Sequence, residues 1–252
     1  MKFSVVTLFP EMVATGTSFG ICGRAVRRGL VELVTVDPRD STRDLHRTVD
    51  DRPYGGGPGM VLKVEPFRDA IRGARKSVPQ GSPVVFLSPQ GRRFDQRMAR
   101  EFAALPGMVL VAGRYEGFDE RLVESEGDFE VSLGDFVLSG GEIAAVAIID
   151  SVVRLLPEAL GDEASVESES FTEDLLDYPQ YTRPDSIDGM EVPPVLTEGD
   201  HEKIRRWRLK QALGRTYVRR PDLLEGRSLT DEEQQLLQEY LADRESDDIV
   251  RH

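Results

Sequence analysis

Cysteine is almost absent from this 252-residue chain. Cys22 stands alone, which excludes an intrachain disulfide and any zinc site built on several thiolates. Histidine is nearly as scarce, and His46, His201 and His252 are too scattered to form a metal-ligating pattern. No apolar run approaches the ~18 residues of a membrane span. The short apolar stretch at the N-terminus is broken by Pro10 and Glu11 and has no small-residue cleavage site after it, so a signal peptide is not expected. A cytoplasmic protein is the expectation. The two commonest phosphate-binding signatures are missing as well. There is no G-x-G-x-x-G, and no Gly-Lys pair that could make a Walker A loop.

Positive charge is missing from one long stretch and concentrated in another. Residues 155–182 hold no Lys or Arg, while Glu158, Asp162, Glu163, Glu167, Glu169, Glu173, Asp174 and Asp177 fall within them. Residues 203–220 hold no acid and carry Lys203, Arg205, Arg206, Arg208, Lys210, Arg215, Arg219 and Arg220. The formal net charge of −13 argues against a nucleic-acid partner, because phosphate neutralisation drives such binding. The local field of 203–220 argues for one. A second reading stays open, in which this is a solvated helix face paired with the acids of 231–248.

The remaining composition, 39% hydrophobic and 31% charged, is that of a soluble globular protein long enough for one large domain or two smaller ones. Short β-branched runs at 3–9 and 31–36 predict strands, with a possible helix at 18–29 between them. Continuous apolar runs at 83–88 and 108–112 are expected of strands buried on both faces, and 129–133 is a last strand. Helical spacing recurs at 64–78, 94–105, 118–125 and 142–156. Residues 52–59, rich in glycine and proline, form a loop. Alternating strands and helices predict an α/β fold with a parallel sheet covered on both faces. Beyond 157 the pattern changes: an acidic linker or lid at 158–177, then an irregular, proline-marked connection and two helices, 201–213 and 230–241. The expected organisation is an α/β domain at 1–157, the linker, and a small helical domain at 178–252.

Three loops follow three buried strands: Ser88-Pro89-Gln90-Gly91-Arg92, Gly113-Arg114-Tyr115-Glu116-Gly117, and the stretch from Gly134 to Gly141. In an open parallel sheet such loops converge on one ligand pocket beyond the carboxyl ends of the strands. Glycines allow the backbone close to a ligand. Ser139 and Glu142 have the spacing of a capping box, which places a helix start there.

These loops, together with Tyr54-Gly55-Gly56-Gly57-Pro58-Gly59-Met60, Tyr181-Thr182-Arg183-Pro184 and Trp207-Arg208-Leu209-Lys210-Gln211, resemble the bacterial tRNA (guanine-N1)-methyltransferases, from Phe3 to about Leu237. The family belongs to the SPOUT methyltransferases, so the resemblance implies a parallel sheet with a deep trefoil knot. It implies S-adenosylmethionine bound in the knot by Pro89, Gly113, Tyr115, Glu116, Leu133, Gly134, Asp135, Phe136, Val137 and Leu138, with Gly140 and Gly141 alongside. Leu133 and Phe136 stand where the family commonly has isoleucine and tyrosine, and both keep an apolar wall. The implied reaction methylates N1 of guanosine-37, just 3′ of the tRNA anticodon. The implied partners are the anticodon stem-loop and a second copy of the chain, each site being built from both subunits.

Methylating N1 requires a base for its proton and a group that stabilises charge on O6. The resemblance assigns the second task to Arg154. For the base, the family has aspartate directly before Ser-Phe, whereas this chain has Glu169-Ser170-Phe171. Glu169 leads, Asp177 is the alternative carboxylate, and solvent or magnesium-assisted deprotonation is a third route. The helical domain would grip RNA phosphates through Lys203, Arg205, Arg206, Arg208, Lys210, Arg215, Arg219 and Arg220, with Arg114 and Arg183 added and Arg24, Arg27 and Arg28 as further contacts. Two rival functions are a catalytically silent tRNA-binding protein and a ribose 2′-O RNA methyltransferase.

Overall fold

The computed structural model describes residues 1–160, 170–171 and 174–250, with 246–250 as backbone alone. The chain divides into two compact units, Met1–Glu163 and Ala164–His252. In the first unit five strands make a wholly parallel sheet: β1 (Lys2–Val6), β2 (Glu32–Val36), β5 (Val84–Arg93), β6 (Gly107–Ala112) and β7 (Phe129–Ser132), in the order β2-β1-β6-β5-β7. The sheet is covered on both faces, as its uninterrupted apolar runs require. Met108 and Leu110 of β6 join one core cluster and Val109 and Val111 the other, because successive side chains point to opposite faces. Helices α1 (Pro10–Gly16), α2 (Gly20–Arg27), α4 (Gln96–Ala103) and α6 (Glu142–Val153) supply the first cluster. The second draws mainly on α3 (Val64–Ser77), through Phe67, Ala70, Ile71 and Ala74, and on Leu122 of α5 (Glu120–Glu126).

Several boundaries differ from the sequence expectation. The first strand stops at Val6, and Pro10 opens the unforeseen helix α1, where a missing N–H costs nothing. Strand β5 runs on to Arg93 through residues expected as a loop. Its register with β7 shifts between Leu87 and Arg92, and the four residues between them bulge out before Arg92 pairs with Val131. A two-residue hairpin, β3 (Asp50–Asp51) with β4 (Val61–Leu62), closes the base of the glycine-rich loop.

The second unit is mainly helical, with α7 (His201–Arg219) and α8 (Asp231–Val250) both longer than expected. Leu175, Ala212, Leu213 and Leu236 form its core. Ahead of α7 lies a small hairpin, β8 (Ser186–Ile187) with β9 (Met190–Glu191), turned by Asp188 and Gly189 at positive φ. Asp-Gly is a strong hairpin signal.

A capping box opens α8. Thr230 N–H donates to the Glu233 carboxylate at 2.8 Å, and Glu233 N–H donates to Thr230 Oγ1 at 3.2 Å. Burial pushes the Glu233 carboxyl up, but the Thr230 N–H bond and the Arg227 guanidinium outweigh it and hold the group below its ordinary 4.5. Glu233→Gln should therefore cost the helical unit about 1–2 kcal/mol at pH 7. A depressed folded value means that the contribution is present above 4.5 and is lost as the pH falls through the lower folded value. Urea unfolding followed by the emission of Trp207, the only tryptophan, should show the difference between parent and variant closing as the solution is acidified.

Candidate active site

A cavity of about 350 Å³ lies at the carboxyl ends of β5, β6 and β7, a volume suited to a small ligand. All three loops line it. Its apolar wall includes Leu87, Val131, Leu133, Leu138 and Ala144, with Phe136 and Phe118 among its aromatic rings. Glu116, Glu120 and Glu130 add carboxylates suited to ribose hydroxyls and to a cationic sulfonium. Pro89, Gly113, Tyr115, Gly134, Val137, Gly140 and Gly141 are also lining residues, so the cavity gathers nearly every residue expected at the cofactor. Asp135 is the exception: it is exposed and does not line the cavity. Tyr115 has a φ of 58°, an uncommon backbone state for a residue with a side chain, held by the loops around it. An aromatic, apolar and acidic lining without a phosphate-binding loop fits S-adenosylmethionine.

The loops are fastened to one another by a buried ion pair. Glu142 is fully buried, accepts from Thr7 Oγ1 at 2.9 Å and from Arg114 Nε at 2.9 Å, and so ties β1 and the loop after β6 to the start of α6. Arg114 Nη1 also donates to the Ser139 carbonyl at 3.2 Å, and the guanidinium lies 4.3 Å from the centre of the Phe9 ring. Two expectations change here. Glu142 does not cap its helix, whose N-cap is Gly141 without a side-chain cap, because its carboxylate is held by Arg114 and Thr7. Arg114, expected at RNA phosphate, has its guanidinium occupied within the fold. Sequence reading passed over Thr7 because nothing in its neighbourhood signals a distant acidic partner.

Gly140 answers to the same pair, and Gly141 to the end of β6. A Cβ on Gly140 would strike Arg114 Nε and the Glu142 carboxylate, and one on Gly141 would sit 2.9 Å from Ala112 Cα. The close approach they allow is backbone against protein, with Gly141 N–H donating to the Gly113 carbonyl at 2.8 Å.

Arg154 forms the C-cap of α6 and is partly buried. One turn earlier Asp150 accepts from the Cys22 thiol at 3.4 Å, and burial, with Asp150 beside it, pushes that thiol up to about 12. Glu169 lies outside the described residues. In the second unit, Asp177 accepts from Tyr178 N–H at 2.8 Å and from the Gln180 side chain at 3.4 Å. Among the described residues, no group of three or more His, Cys, Asp or Glu side chains is placed to hold a metal ion, and no helix is long and apolar enough to cross a membrane.

Acids of the same unit hold many of the cations expected at RNA. Arg205 pairs with Glu202 and Glu232, Arg206 with Glu232 and Glu239, Lys210 with Asp243, Lys203 with Glu198 and Asp200, and Arg220 with Asp222. Hydrogen bonds to Glu202 and then Glu232 hold the Arg205 guanidinium above its ordinary value. Pairing with the acidic tail, the open alternative for the basic segment, describes Arg205, Arg206 and Lys210, whose partners include acids of α8. Arg208 instead stacks 4.8 Å above the Tyr178 ring, and among the described residues Arg183, Arg215 and Arg219 enter no ion pair. In the first unit Arg28 pairs with Glu158 and Arg27 donates to the Ser18 carbonyl.

Glycine-bearing loops at the ends of parallel strands, in a chain that also has a separate helical unit with a basic segment, define an α/β protein for a nucleoside-type ligand. More narrowly, the chain belongs to the family described as tRNA (Guanine-1)-methyltransferase TrmD, which matches residues 1–226. A tRNA (guanine-N(1)-)-methyltransferase of Methylococcus capsulatus is 59% identical over 95% of this chain and 96% of its own length. Proteins of that name from Shewanella amazonensis and Vibrio vulnificus are each 56% identical, over 98% and 96% of this chain and 98% and 97% of theirs. The knotted SPOUT fold is that family's fold.

The clamp makes a testable statement. Arg114→Ala leaves a buried carboxylate with only a threonine hydroxyl, and should lower the unfolding free energy of the first unit by about 3–5 kcal/mol. S-adenosylmethionine affinity should fall with it. Urea unfolding and calorimetry check both, and a stable variant that lost only tRNA affinity would return Arg114 to the RNA surface.

Proposed function

We propose that this protein transfers the methyl group of S-adenosylmethionine to N1 of guanosine-37 in tRNA, acting in the cytoplasm. The observation that carries the reading is the convergence of the three loops on one cavity, in a chain belonging to a tRNA (guanine-1)-methyltransferase family. S-adenosylmethionine supplies an electrophilic methyl carbon on a sulfonium. The guanine N1 electron pair forms the new C–N bond as the C–S bond breaks and S-adenosylhomocysteine leaves. The N1 proton goes to a carboxylate, and Arg154 stabilises negative charge building on O6.

Glu169 is the proposed base. Asp177 is less suited, because both its oxygens already accept hydrogen bonds from its own turn. No step is routed through magnesium. Glu169→Gln should reduce single-turnover methylation by ~100-fold or more, while Glu169→Asp keeps substantial activity. A near-normal rate for Glu169→Gln, with Asp177→Asn inactive, would move the role to Asp177. Labelled methyl donor with an unmodified transcript, followed by mapping of the methylated atom, separates N1 transfer from 2′-O transfer and from silent binding.

The grip on RNA is assigned chiefly to Arg183, Arg208, Arg215 and Arg219, since the other cations of the segment are already paired. Phosphate contacts position the RNA without reading its sequence. Arg215→Ala with Arg219→Ala should flatten the salt dependence of tRNA binding by about 0.7–0.9 log units for each phosphate left unneutralised, with S-adenosylmethionine affinity unchanged. An identical slope would remove these arginines from the interface.

The reading includes a homodimer with sites shared between subunits. Phe9 and Met12, exposed beside Arg114, and exposed Ile143 next to Glu142 support it, because apolar side chains clustered at a site edge favour association. Sedimentation of Phe9→Glu should show monomers with impaired methylation.

A further inference from the structure

The helical unit has a second cavity, of about 420 Å³, for which the methyl-transfer reading gives no use. Its walls come from the irregular segment ahead of α7 and from the first turns of α7. Three aromatic rings line it: Tyr178, Tyr181 and Trp207. The Tyr181 and Trp207 rings lie 6.3 Å apart, centre to centre, with their planes at 53°. Tyr181 is 49% exposed, so its ring is open to a ligand. Arg183 and Arg208 also line the cavity, together with one carboxylate, Asp185.

The chemistry of this lining is specific. Aromatic faces beside water lose the gain of burial unless something stacks on them. Guanidiniums in the lining match a phosphate, and Arg183 has no ion pair among the described residues to compete with one. A carboxylate in the lining, Asp185, can accept from ring or exocyclic N–H groups. Rings, cations and one acceptor together suit an unstacked nucleobase with its own phosphate.

We infer that this cavity takes one unpaired nucleobase of the tRNA, stacked on Trp207 and Tyr181. Arg183 and Arg208 meet its flanking phosphate, and Asp185 accepts from the base edge. The inference rests on the reading that tRNA is the substrate, and it adds a second point of base recognition, within the helical unit. Stacking releases no counterions, so removing it lowers affinity without changing the salt slope, unlike removal of an arginine.

Trp207 is the only tryptophan in the chain, so its emission reports on this cavity in the unaltered protein. An unmodified tRNA transcript should quench that emission, whereas an RNA duplex with no unpaired base should not. Trp207→Ala and Tyr181→Ala should each weaken tRNA binding at least about five-fold, with salt slope and S-adenosylmethionine affinity unchanged. Trp207→Phe should bind within about two-fold of the parent, and the exposed Tyr181 gives a variant whose folding is not at risk. The inference is overturned if the parent methylates tRNA yet its emission is untouched, if duplex quenches equally, or if Tyr181→Ala binds like the parent. A parent that does not methylate tRNA at all would instead overturn the proposed function.

Discussion

Glu142 is a charge with no access to water, and the first unit is arranged around keeping it satisfied. An unpaired carboxylate at that depth is strongly destabilising, and a paired one is tolerated only when its remaining lone pairs find donors. Arg114 and Thr7 supply them, from two different strand ends. The consequence is geometric. The loop after β6 and the start of α6 cannot separate without exposing the pair, so two of the three loops that line the cavity are fixed against each other. Gly140 follows from the same constraint, because a side chain there would occupy the volume of the ion pair, whereas one at Gly141 would push into the end of β6.

The helical unit handles charge in the opposite way. Its ion pairs are mostly exposed, and such pairs contribute little to stability and are weakened by salt. They do change which cations can meet a polyanion. The acids of α8 take up Arg205, Arg206 and Lys210, and of the arginines expected at RNA in this unit, Arg183, Arg215 and Arg219 enter no ion pair among the described residues, with Arg208 stacked on Tyr178. A chain of net charge −13 can therefore present a small positive surface for RNA without being basic as a whole.

Two stretches of identical spacing show how far local pattern carries. Thr230-x-x-Glu233 forms a capping box, and Ser139-x-x-Glu142 does not. Glu233 lies within reach of its own helix end and of Arg227 nearby in the chain, so sequence-local chemistry is enough. Glu142 is drawn to partners 28 and 135 residues away, and no window of sequence contains that competition. The helix starts two residues beyond the point the capping-box spacing indicated, with Gly141 rather than Ser139 as its N-cap. In the same way the strand run at 83–88 was legible from its unbroken apolar pattern. Its continuation to Arg93 was not, because Arg92 and Arg93 join the sheet only through β7.

By itself the sequence determined the parallel sheet, since buried strands need apolar residues on both faces and that pattern is written in consecutive positions. It also determined the three loops, since glycine and proline punctuate the chain locally. Its long motifs carried the family resemblance. Tertiary structure alone decided which residues stand free. It placed Arg114 in a clamp with Glu142, left Asp135 off the cavity lining, divided the basic segment, among the described residues, into paired and unpaired cations, and gathered Tyr181 and Trp207 into one cavity. The physical reason is the same in each case. A charge or a ring is used by whatever lies nearest in space, and nearness between residues dozens of positions apart exists only once the chain has folded.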